Sequence, residues 1–188
     1  MMAWTNVHSR AGDVNAMDVV KAIEERHSVR GFTDGDVPMD IVNEALRLGN
    51  LAPSAGNLQA RDFIIVKDKG MKKKLSKAAF GQKFVEEAPV VLVVCCNMNR
   101  IKNYGERGES LYTIQDTAAA IENMMLYLVS KGYGTCWVGA FDEKEVGRLM
   151  ELPDWAKAVA MIPVGKPKES GRTSPRLEQD TIVHSEKW

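Results

Sequence analysis

The chain has 188 residues, 45% of them hydrophobic and 27% charged, enough for one globular domain with a sizeable core. Lys plus Arg and Asp plus Glu each total 25, so there is no global basic field to recruit nucleic acid or an acidic membrane. No apolar run approaches a membrane span and the N-terminus lacks the apolar core of a signal peptide, so a cytoplasmic location is the expectation.

Residues 1–15 show no sustained periodicity and carry Gly12, Asp13 and Asn15; they read as a flexible extension or docking arm, with the domain proper over residues 16–188. From Met17, the residues Val19, Val20, Ala22 and Ile23 make the apolar face of a first helix that ends near His27. Just past it stands Arg26-His27-Ser28-Val29-Arg30. Its paired guanidiniums are fork-shaped, permanently charged donors that suit a phosphate, and Ser28 adds a hydroxyl. Arginine at a helix C-terminus also complements the macrodipole, so this segment alone leaves both readings open.

Thr33–Asp36 is a turn, and Pro38 with Asp40 opens a second helix to about Gly49, with Ile41, Val42, Ala45, Leu46 and Leu48 as its apolar set. A loop over Ala52–Gln59 precedes the strand Phe63–Val66. Ser54, Asn57 and Gln59 supply hydroxyl and amide groups there, and Gly56 allows close backbone approach to a ligand; an ordinary polar turn fits equally well. Lys69–Ala79 reads as a helix whose lysines, with Lys67, form a solvated face, or alternatively steer a phosphorylated dinucleotide. Pro89–Cys96 is an unbroken apolar run and reads as a central strand, with Cys95 and Cys96 as buried thiols on opposite faces.

Asn97–Ser110 reads as a polar, irregular loop. Leu111–Lys131 is the longest helix, apolar on several sides and therefore expected in the core or at a subunit interface. Gly132-Tyr133-Gly134 ends it, leading into a strand Thr135–Val138 and the turn Gly139–Asp142, where small side chains leave backbone N–H groups free for a planar ligand or simply make a tight turn. Asp142 caps a helix to about Met150, Ala158–Val164 is the last strand, and the tail Lys166–Trp188 is expected to lie along another surface.

No G-x-G-x-x-G follows a strand, and no Walker-type loop, G-x-S-x-G elbow or H-E-x-x-H is present. His8, His27 and His184 are dispersed, and Cys95, Cys96 and Cys136 have no zinc spacing, so no metal ligand is assigned.

Together, Glu25–Phe32, Leu51–Gln59, Gly134–Phe141 and the closing Ile182–Trp188 resemble the FMN-dependent nitroreductase family. The resemblance implies an α+β fold: a three-layer α-β-α sandwich around a mostly antiparallel sheet, in an intertwined homodimer. It implies that Arg26 and Ser28, with Arg176 from the tail, would bind the FMN phosphate, His27 belonging to the same cofactor set. Arg30 would reach the N1/O2 edge of the flavin and Gln82 the pyrimidine edge. Val138 would lie against the ring, Gly139 near N5 and Ala140 near O4, while Pro53, Ser54 and Asn57 would come from the partner subunit. Tyr104, Tyr112 and Phe80 are candidates for the substrate face.

The implied activity is ping-pong hydride transfer from NADH or NADPH to nitroaromatic, quinone or similar electron-poor acceptors, with no catalytic side chain assigned. A reductive dehalogenase or flavin-fragmenting relative, and a flavin-binding sensor or storage protein, are the alternatives. Two departures stand out: Ala60-Arg61 replaces a proline followed by an aromatic, and Ser174 replaces a second basic residue of the tail. The short Asn97–Ser110 region implies no large helical lid.

Overall fold

The unbroken apolar run becomes strand β2 (Val90–Asn97), every residue of which is buried. The computed structural model describes residues 17–169, 171 and 174–188; the expected extension over residues 1–15 lies outside the described residues. With β1 (Arg61–Val66), β3 (Gly134–Thr135) and β4 (Ala156–Gly165), β2 forms an antiparallel sheet in the order β1-β2-β4-β3. A strand covered on both faces reads as continuous hydrophobicity, which explains the run.

Alternation divides β2 between two cores. Val90, Leu92 and Val94 pack with Val42 and Ala45 of α2 (Met39–Asn50) and with Ile121, Met124 and Leu128 of α7 (Thr113–Ser130). Val91, Val93 and Cys95 face the other way, onto Leu75 of α3 (Lys69–Ala78), Val85 of α4 (Lys83–Glu87) and Val146 of α8 (Glu143–Leu149). This is the expected three-layer α+β sandwich. Cys95 and Cys96 are both buried, as their strand position requires.

Four sequence expectations are corrected. First, α1 (Val19–Glu25) packs against α7 with Ala22 as its one buried residue, while Val19, Val20 and Ile23 are 64%, 59% and 56% exposed. Among the described residues, no second layer covers that face of this short helix. Second, residues 98–112 are helical rather than irregular: α5 (Met98–Ile101), a 3-10 turn (Lys102–Tyr104), α6 (Gly105–Arg107) and a π turn (Gly108–Tyr112) run into α7. Polar side chains satisfy the backbone here: Asn97 caps α5, and Ser110 and Thr113 donate to the carbonyls of Glu106 and Glu109. Third, only Gly134 and Thr135 ladder onto β4, followed by one isolated pairing of Val138 with Met161. Fourth, Lys72 leaves the solvated lysine face; it is buried, donates to the carbonyls of Ala88 and Pro89, and burial lowers its pKa.

The short α4 and the C-terminal α9 (Gln179–Ile182) carry no periodic signal strong enough to announce them. The tail from Ser174 to Trp188 is exposed throughout. Among the described residues no helix is long and apolar enough to cross a membrane.

Candidate functional site

Arg26 leaves α1 in an extended conformation, and the chain then runs beside β3. Ser28 bridges Thr135 in parallel, and the Val29 N–H donates to the Thr135 carbonyl at 2.9 Å. Val29 is buried, so Ser28 and Arg30 on either side of it stay exposed. Gly134 permits this close approach: a Cβ there would lie 2.5 Å from Cγ2 of Val29.

The result is a small polar cavity of about 150 Å³ lined by Arg26, His27, Ser28, Arg30, Ser174 and Arg176. Residues from the two ends of the domain thus meet in one place. Arg176 is oriented by a 2.9 Å bond from Nη1 to the Ser174 carbonyl, and Arg26 Nε lies 3.6 Å from the Glu122 carboxylate of α7. His27 Nδ1 is 2.8 Å from the Glu25 carbonyl and so carries the donor proton, while its buried Nε2 has no hydrogen-bond partner among the described residues. Cys136 lies beneath the segment; burial pushes its thiol pKa up, opposed by the Arg30 charge and by hydrogen bonds to Ser28 and Arg30.

A second part of the site is the turn after Val138. Val138 itself is 2% exposed in the core, held to Met161 by 2.9 Å bonds in both directions, whereas Gly139 and Ala140 are exposed. The Gln82 amide donates to the carbonyls of Ala79 and Ala140, each at 3.0 Å, and the Asp142 N–H donates to the Ala78 carbonyl. Gln82 therefore spends its amide protons on shaping this turn.

Pro53, Ser54 and Asn57 stand elsewhere. They precede Arg61, which pairs with Cys96 at one end of the sheet, while Gly134 pairs with Gly165 at the other end and on the other edge. Three strand spacings across and seven to eight residues along put roughly 14 by 25 Å between these corners. Within the loop, Ser54 Oγ accepts from the Gln59 N–H at 3.1 Å, and Gly56, Asn57 and Gln59 have φ of 56°, 57° and 48°. A Cβ on Gly56 would meet the Tyr104 hydroxyl at 2.7 Å.

Sequence reasoning missed what holds this loop. Arg61, 2% exposed, donates through Nη1 to the carbonyls of Asp116 (3.0 Å) and Pro53 (3.3 Å) and through Nη2 to those of Asn50 (2.9 Å) and Ala52 (2.8 Å). Burial lowers the Arg61 pKa and the Asp116 charge opposes that shift. The Asp116 carboxylate accepts from the N–H groups of Ala55 (2.9 Å) and Ala60 (3.3 Å). The available signal was Asp116 itself, a carboxylate on the buried stripe of α7, four residues before Ala120.

The sequence model of the nitroreductase family matches residues 23–86 and 75–166. A relative in Methanothermobacter thermautotrophicus, whose name pairs NADH dehydrogenase with NAD(P)H nitroreductase, is 30% identical over 196 residues, covering 100% of this chain and 99% of its own. An FMN reductase (NAD(P)H) of Bacillus subtilis is 29% identical over 185 residues, covering 91% of this chain and 74% of its own. The solved structure of B. megaterium NfrA2 superposes with a TM-score of 0.84 at 28% identity, over 92% of this chain and 76% of that one. Sequence match and fold agree: this chain belongs to the nitroreductase family.

Proposed function

We propose that this chain is a cytoplasmic FMN-dependent NAD(P)H oxidoreductase that works as a homodimer and reduces nitroaromatic, quinone or similarly electron-poor acceptors. The polar cavity carries this reading. Three guanidiniums and a serine hydroxyl line one small space, a donor set that fits a phosphate monoester. FMN, when bound, supplies two-electron hydride chemistry between a reduced nicotinamide and the acceptor.

The chain's own residues bind and orient. Arg26, Ser28 and Arg176 hold the phosphate, and Arg30 presents a cation to the end of the flavin where negative charge gathers on reduction. The exposed Gly139 and Ala140 offer backbone N–H groups to the ring edge, on a turn that Gln82 keeps in shape. Ser174, where a second cation would be expected, leaves the phosphate pocket less charged.

The position of Pro53, Ser54 and Asn57 at the far corner of the sheet supports a site completed by the partner's loop. Val19, Val20 and Ile23 of α1 and Leu177, Ile182, Val183 and Trp188 of the tail are exposed apolar groups that a second subunit would cover. Tyr104, in contact distance of Gly56, stacks edge-on with Tyr112 at 5.4 Å and gives the acceptor face an aromatic wall. The relative named FMN reductase supports the cofactor, and its name pairs it with NAD(P)H.

Purified protein tests the reading. It is expected to be yellow with one FMN per subunit and to bleach rapidly under anaerobic conditions on addition of NADH or NADPH, recovering its colour with a quinone or nitroaromatic. Bound flavin that neither nucleotide reduces would instead favour a sensor or storage role.

A further inference from the structure

We propose that Arg61 and Asp116 are positioning residues for the cofactor: a buried guanidinium and a buried carboxylate that grip opposite sides of the Asn50–Ala60 loop and preset Pro53, Ser54 and Asn57 for binding. The proposal rests on the FMN reading above and adds the device that shapes the loop.

Four of the five N–H donors of Arg61 go to four different backbone carbonyls, three of them in the stretch from Asn50 to Pro53. Capping the C-terminus of α2 explains the bonds to Asn50 and Ala52, but it does not explain Asp116. That carboxylate takes the N–H groups of Ala55 and Ala60, beyond the helix and on either side of Asn57. The carbonyls that the loop turns inward are thus met by the cation, and the N–H groups by the anion. Arg61 Nη1 also bonds the backbone carbonyl of Asp116, and the Asp116 charge offsets the burial of the guanidinium, so the two are coupled.

The loop needs such a frame. Gln59 holds a left-handed conformation that such a residue adopts only when its surroundings impose it, next to Asn57, which takes the same region more readily. Arg100 adds an outer brace, Nη1 donating to the carbonyls of Gln59 (3.0 Å) and Arg61 (2.7 Å). A pre-shaped loop loses little entropy when it binds, and this is how a residue that touches no ligand raises affinity.

The test is a double-mutant cycle on the full-length holoprotein, read as the FMN dissociation constant from flavin fluorescence. Arg61→Lys keeps the charge and loses the fork; Asp116→Asn keeps the volume and loses one acceptor, and serves if Arg61→Lys does not fold. Each is expected to weaken FMN binding about tenfold in the wild-type background, with kcat at saturating FMN little changed. In an Asn57→Ala background each is expected to cost less than about twofold, because the loop contact being positioned is already gone. Equal losses in both backgrounds would make the pair merely structural and overturn the proposal. If Asn57→Ala alone leaves FMN affinity unchanged while Arg26→Ala weakens it, the cofactor reading survives and the loop's part in it fails, and this proposal with it.

Discussion

The Arg26 guanidinium that lines the polar cavity also lies 3.6 Å from the Glu122 carboxylate of α7. A cation that awaits an anion is thereby held ready by a neighbour that is itself half exposed and easily outcompeted. Arg26→Ala is expected to weaken FMN binding about ten- to hundredfold, the scale of one charge-assisted hydrogen bond. Glu122→Gln removes the competitor and is expected to tighten binding by about threefold at low salt, less at high salt. Fluorescence titration measures both; unchanged dissociation constants in the pair would move the phosphate site elsewhere.

Gly134→Ala tests whether β3 truly docks the arginine segment. The added Cβ would meet Val29 at 2.5 Å, against a side chain that is buried and cannot swing away. Overpacking of this kind costs about 1–3 kcal/mol, so the expected result is a lowered Tm together with weaker FMN binding. Loss of stability with full FMN affinity would show that Arg26, Ser28 and Arg30 keep their places without that contact.

A shared site has a genetic signature. Arg26→Ala and Asn57→Ala subunits, each inactive or weak as homodimers, should regain activity when mixed, because each heterodimer then holds one site with both residues intact. Activity assayed after co-refolding or co-expression decides it. Mixtures no better than either parent would place both residues in the same subunit's site.

The three buried thiols set an alkaline limit. Burial raises each of them, Cys95 from an ordinary value of 9.0 to about 12. Between those values native Cys95 keeps a proton that the unfolded chain releases, so its contribution is full below about pH 9 and falls as pH rises, by up to about 1.4 kcal/mol per pH unit, with Cys96 and Cys136 acting in the same direction. Lys72 works in the opposite sense, since burial lowers its pKa and the unfolded chain then binds the extra proton. Urea denaturation from pH 8 to 11 should show a net decline, shallower in Cys95→Ala. A thiol reagent should label Cys95, Cys96 and Cys136 only after unfolding; rapid labelling of native protein would contradict their burial.

Much of this molecule was legible before any coordinates. The continuous apolar run at Val90 is the mark of a strand covered on both faces, and its periodicity announced α7 as the longest helix. The structure, however, buries one stripe of α7, from Thr113 through Ala120 and Ile121 to Leu128, and leaves Ile114 exposed. Arg26, Ser28 and Arg30 were readable as candidate donors to an anion because their chemistry is carried by residue type, whereas Arg176 was named only through the family resemblance. Asp142 was readable as a cap because capping is local, and its carboxylate does accept from the Glu145 N–H at 3.0 Å.

What depends on distant partners was not. Residues 98–112 look polar and irregular, yet fold as helical turns because their own side chains satisfy the backbone. Lys72 sits in a lysine run and is buried only because Ala88 and Pro89 present carbonyls to it.

Residue type and local periodicity, then, determined the two-sided central strand, the principal helices and the donors for an anion, because those depend on the chain's immediate neighbours. Only the tertiary structure decided that Arg26 and Arg176 share a cavity, that Pro53–Asn57 stands at the opposite corner, and that Arg61 and Asp116 frame that loop. Those relationships join residues far apart in the chain, and a buried charge declares its partner only once folding has brought the two together.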